Sequence, residues 1–79
     1  MTEIRMEDLS REHLKEFSFI EAIVGFGDDA TRERVWDSNR LPPFLGALVG
    51  GAEVKTLYVR VADEAGLQSL KAKIEQLCA

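Results

Sequence analysis

The period of the apolar residues changes at Asp63, and that change constrains the fold more than any other feature of the chain. Before it, Leu57, Val59 and Val61 alternate with Thr56, Tyr58 and Arg60. Successive side chains of a strand point to opposite faces, so this is the pattern of a half-buried strand over residues 54–61, entered from a turn at Gly50-Gly51. After it, Leu67, Leu70, Ile74 and Leu77 recur at three- and four-residue steps. Those positions share one stripe of a helix and leave Gln68, Lys71, Lys73 and Glu75 for solvent. Asp63 suits the start of that helix, where a carboxylate accepts a hydrogen bond from an amide of the first turn. A strand running straight into a helix that packs on it predicts an α+β domain.

The 79 residues have room for one core, hence a single domain over 1–79. Folding at this size buries only about 60% of the surface that the unfolded chain exposes, so a possible homodimer is part of the expectation. The 46% hydrophobic content and mixed charges are those of a folded chain. Cys78 is the only cysteine, which leaves no internal disulfide and predicts a reducing, cytoplasmic setting. The start, Met1-Thr2-Glu3-Ile4-Arg5-Met6-Glu7-Asp8, is polar and acidic, unlike a secretory signal. The apolar runs at 17–26 and 41–52 fall short of the ~20 residues that cross a bilayer.

The remaining elements are less marked. Thr2 to Met6 alternates as a short first strand, and Asp8 or Ser10 is placed to cap a helix starting near residue 9 or 10. Leu14, Phe17, Ile20 and Val24, with Ile23 beside them, predict that this helix continues to Gly25. The same run, Phe17 to Val24, is aromatic and β-branched enough to suit a buried strand, so that reading stays open. Gly25-Phe26-Gly27 then reads as a helix stop, with Asp28 or Asp29 capping a second helix through Val35 and Trp36 toward Asn39. Leu41-Pro42-Pro43 ends that helix, and Pro43 opens a short one through Val49. The whole predicts three to four helices and a two- or three-stranded sheet, the third strand coming from 17–24 or from a second copy. Residues 53–78 resemble half of a ferredoxin-like unit, a likeness of architecture over a third of the chain.

Each chemical motif fails on a named residue. Gly25-Phe26-Gly27-Asp28-Asp29-Ala30 has the glycine spacing of a dinucleotide fingerprint, but two carboxylates stand where the phosphates would sit. Gly46-Ala47-Leu48-Val49-Gly50-Gly51 has P-loop spacing, with Ala52-Glu53 in place of the lysine and hydroxyl. Asp37-Ser38 is similar to the place where acyl carrier proteins bear their modified serine, which makes a carrier-type protein modified at Ser38 one alternative. Carrier proteins continue the helix past that serine, whereas Asn39-Arg40-Leu41-Pro42-Pro43 stops it. His13 and Cys78 are too few for a structural zinc site, and no cofactor or catalytic residue is assigned.

Charge and apolar surface remain. Of the net −4, residues 1–29 carry eight acids against Arg5, Arg11 and Lys15, an acidic pole. Arg32, Arg34 and Arg40, near Trp36, suggest a small DNA-binding regulator as a second alternative, but the acidic first helix would repel a phosphate backbone. The expectation is therefore a non-enzymatic protein–protein interaction module: a regulator, an inhibitor or a complex subunit. Its apolar face would use Trp36, Leu41, Phe44, Leu45, Leu48 and Tyr58, and its acidic helix Glu12, Glu16 and Glu21.

Overall fold

Four strands form one mixed sheet in the order β1-β4-β2-β3 in a computed structural model that describes residues 2–37 and 55–79. The chain runs β1 (Thr2–Arg5), α1 (Arg11–Glu16), β2 (Phe19–Val24), β3 (Thr31–Asp37), β4 (Thr56–Val61) and α2 (Glu64–Cys78). Single 3-10 turns lie at Met6–Asp8 and Gly27–Asp29. The architecture is α+β with a C-terminal helix, as the sequence predicted. The described residues hold two α-helices rather than three or four, and the sheet has four strands rather than two or three.

The C-terminal unit follows its periodicity. Leu57, Val59 and Val61 of β4 are buried, and Asp63 caps α2 by accepting from the Gly66 amide at 2.8 Å. Leu67, Leu70 and Ile74 lie on the sheet, and the largest fully buried side chains among the described residues are Leu14, Ile20, Leu57, Val59, Leu67 and Leu70. Full burial of such side chains contributes about 1.5–3 kcal/mol each. Polar contacts fix the helix laterally. Lys73 Nζ donates to the Met6 carbonyl at 2.7 Å, Lys71 pairs with Glu33 of β3 at 3.2 Å, and Arg11 Nε donates to the Leu77 carbonyl at 2.9 Å. The last contact sets a cation at the C-terminus of α2, where the helix dipole favours it.

Two predicted helices are corrected. The first stops after one and a half turns, and Phe19–Val24 is the strand β2, which resolves the choice left open at 17–24 without a second copy. Ser10 is its N-cap: the Ser10 amide donates to His13 Nδ1 at 3.1 Å, the reciprocal half of a capping box in which histidine replaces the usual glutamate. In place of the predicted second helix, Thr31–Asp37 is the strand β3, and residues 38–39 of that predicted helix lie outside the described residues. Gly25 and Gly27 are not a helix stop. They turn the β2–β3 hairpin with φ of +97° and +61°, a region glycine enters without steric penalty.

Register across β2 and β3 slips by one residue. Ile20 pairs with Trp36 but Glu21 pairs with Arg34, leaving Val35 as a bulge. Residues two apart on a strand ordinarily share a face, and the extra residue reverses that rule here. Trp36 enters the core, 4% exposed, while Arg34 and Arg32 emerge on the other side.

Candidate functional site

Helices α1 and α2 pack on one face of the sheet. The buried residues of α1 and α2 form a single cluster with Ile20, Ala22, Leu57, Val59 and Trp36. Ile23 is only 6% exposed yet stands outside that cluster, because β2 points it to the opposite face.

The register maps this second face in rows. Across β1, β4, β2 and β3 one row reads Arg5, Arg60, Ile23, Arg32. The next reads Glu3, Tyr58, Glu21, Arg34. The third holds Thr56, Phe19 and Asp37 on β4, β2 and β3. The face therefore combines two half-buried aromatics, a buried isoleucine and four arginines in a chain whose net charge is −4.

Its side chains are already organised. The Arg34 guanidinium lies over the Phe19 ring at 4.3 Å and reaches Glu21 at 3.6 Å. Arg32 lies over the Tyr58 ring at 5.0 Å, spanning β2 and the Ile23 row to do so. Cation–π contacts of this kind contribute about 0.5–1 kcal/mol at exposed sites. Arg60 forms a two-point pair with Glu3 at 2.7 and 3.4 Å, and the carboxylate raises the Arg60 pKa by hydrogen bonding and charge. The side chains of Arg34 and Arg60 keep 55% and 44% of their surface in solvent.

The expected binding residues divide. Tyr58 and Glu21 meet on this face, directly opposite each other on β4 and β2. Trp36 lies in the core on the other side, with its Nε1 lacking a hydrogen-bond partner among the described residues, an omission that costs about 1–3 kcal/mol. Glu12 and Glu16 are exposed on α1, and Glu16 borders a shallow recess with Thr2, Phe17, Lys55 and Thr56. Leu41, Phe44, Leu45 and Leu48, together with Ser38 and Arg40, lie outside the described residues. Arg32 and Arg34 share a face from which Trp36 is absent, and they stand on the strand β3 instead of the helix expected to carry them with Arg40.

Sequence reasoning overlooked Phe19, Ile23, Arg5 and Arg60. The alternation of Phe19, Glu21 and Ile23 against Ile20, Ala22 and Val24 was the signal for the first two. It was masked by the smallness of Ala22, which contributes little to an apolar pattern. Phe26, 71% exposed at the hairpin tip, is the large apolar side chain most open to solvent among the described residues.

Other site classes find less support in the geometry. Gly25-Phe26-Gly27-Asp28-Asp29-Ala30 leads into a strand, so the helix N-terminus that a dinucleotide fingerprint needs does not follow it. Among the described residues no cluster of three or more His, Cys, Asp or Glu is placed to hold a metal, and no helix is long and apolar enough to cross a membrane. No protein-family model, curated protein or solved structure matches the chain.

Proposed function

We propose that this chain is a non-enzymatic protein-interaction module, acting as a regulator, an inhibitor or a subunit of a complex, and that it meets its partner on the face of its sheet opposite α1 and α2. The observation that carries the reading is the pair Phe19 and Tyr58, set on neighbouring strands and each roofed by an arginine. Tyrosine and arginine dominate the energetic centres of protein interfaces, because they cover large areas with few rotors and pair directionally with polar groups. Here the sheet holds them on a stiff floor, and ring contacts and ion pairs restrict their rotamers before any partner arrives. Less side-chain entropy is then lost on docking. Glu12 and Glu16, on α1, supply a second, acidic contact to a basic part of the partner. The lone, buried thiol of Cys78 suits a reducing compartment such as the cytoplasm.

A photo-crosslinking residue at Thr56, on the proposed face, tests this in cells of the native host, with Gln68 on the solvent side of α2 as control. The expected result is a discrete crosslinked protein from Thr56, lost on Tyr58→Ala, and none from Gln68. Equal crosslinking from both positions, or none from Thr56, overturns the assignment.

A further inference from the structure

The row Arg5, Arg60, Ile23, Arg32 deepens that reading, on which it rests. Arg5 and Arg60 stand directly opposite each other on adjacent strands, a placement in which like charges repel. Arg60 has Glu3 as counter-ion, but among the described residues neither Arg5 nor Arg32 forms an ion pair. All three arginines are exposed. A chain with net charge −4 thus gathers cations from three strands, far apart in sequence, along one line. Folding gains the Arg60–Glu3 pair and the Arg32–Tyr58 contact, but no counter-ion for Arg5 or Arg32 among the described residues.

We propose that this row seats the carboxylates of an acidic polypeptide segment of the partner. Neighbouring strands lie about 4.8 Å apart, so the backbone span from Arg5 to Arg32 is roughly 14 Å. An extended segment crossing the strands presents every second side chain downward, and three such residues span about 13 Å at 3.3–3.4 Å per residue. Acid at alternate positions therefore matches the row in length. Arginine is suited to the task, since a guanidinium held over a ring, as Arg32 is over Tyr58, keeps its in-plane donors for a carboxylate. Ile23 gives the segment an apolar contact between the charges. A polypeptide fits better than a phosphate backbone, because Glu3 and Glu21 occupy the next row and would repel a continuous string of phosphates while pairing with basic side chains.

NMR titration of the labelled protein with a blocked peptide of alternating glutamate and serine tests the proposal, with the glutamine–serine peptide and an oligothymidine as comparison probes. Amide shifts should concentrate at Arg5, Ile23, Arg60 and Arg32 with the glutamate peptide only, weaken with salt, and give a Kd that Arg5→Gln with Arg32→Gln raises about tenfold. Scattered or absent shifts, or a Kd unchanged in the double variant, overturn it. Tighter binding of oligothymidine to the same row also overturns it, in favour of single-stranded nucleic acid. The two readings fail separately. Crosslinking from Thr56 that survives while the row ignores the glutamate peptide removes only the acidic segment, and a row that binds the peptide without any Thr56 crosslink removes the interaction module.

Discussion

Ile20 and Ile23 offer the sharpest test of the fold, because strand and helix assign them opposite relations. In β2 they point to different faces. Ile20 is fully buried between Leu57 and Trp36, whereas Ile23 is 6% exposed on the other face, between Arg60 and Arg32 in the register. Truncating Ile20 to alanine removes apolar contact and opens a cavity that the core cannot collapse, a loss of about 4 kcal/mol. Ile23→Ala loses the transfer energy of the same carbons, but the long, exposed side chains of its neighbours Arg60 and Arg32 can settle into the space, which limits the loss to about 2 kcal/mol. At about 1 kcal/mol per molar urea for a small domain, the midpoints should fall by about 4 M and 2 M. A chain of 79 residues holds only about 4–12 kcal/mol in all, so Ile20→Ala is expected to approach complete unfolding in water. The gentler pair Ile20→Val and Ile23→Val keeps the comparison measurable, with losses of about 1 and 0.5 kcal/mol. On a helix Ile20, Ile23 and Val24 would share one stripe and cost alike. Equal losses in both pairs, with unchanged urea slope, would refute the strand.

Four further outcomes follow from local geometry. Gly25→Ala should lose about 1–3 kcal/mol in thermal unfolding, since φ of +97° lies beyond the left-handed well and an added Cβ meets the Asp29 carbonyl oxygen at 3.4 Å; Gly27→Asn, at +61° with open space around it, should stay within about 0.5 kcal/mol of the parent. Asp63→Ala should cost about 1 kcal/mol, a fall of about 4–8 °C in Tm, while Asp63→Ser retains most of it. Burial pushes the Cys78 thiol up, partly offset by the positive Arg11, so its reaction with a disulfide reagent should be slow in the folded chain and accelerate on unfolding; because the folded thiol ionises later, its contribution to stability is whole below the unfolded value of about 8.5 and is lost as pH rises through the folded one. Deleting Val35 should destabilise by about 3 kcal/mol or more, since it forces either Trp36 out or arginine in, whereas Val35→Ala should cost about 1 kcal/mol; equal effects in urea titrations would remove the bulge from the argument.

Legibility tracked how much of each element one face of the core controls. In β4 and α2 a single apolar side faces the cluster and the other faces water, so periodicity was sufficient. In 14–24 two elements adjoin. Leu14 and Phe17 belong to α1 and its end, Ile20 and Val24 to β2, and their spacings happen to continue one helical stripe across the break. Strand β3 lies at the edge of the sheet with four of its seven residues exposed, and so carries Arg32, Glu33 and Arg34 in succession with no alternation to read. The candidate site was legible at Tyr58 from the period of β4, and at Glu21, Arg32 and Arg34 from charge alone, without their common face. The rest depends on pairing between strands, a relation that spacing along the chain does not contain.

The bulge at Val35 connects that loss of legibility to the surface it creates. Without it Arg32, Arg34 and Trp36, at two-residue steps on one strand, would share a face. With it the indole fills the core beside Ile20, and the two arginines turn outward over Tyr58 and Phe19. Charge on an edge strand also discourages indiscriminate strand pairing, which directs association toward the face instead of the edge. Counting charge along 30–40 finds an excess of only one base, yet the face that β3 completes takes its other cations from Arg5 and Arg60, on strands before and after. A row of cations on an acidic chain is thus a product of register, and a single inserted residue decides which side of the sheet carries the share that β3 supplies.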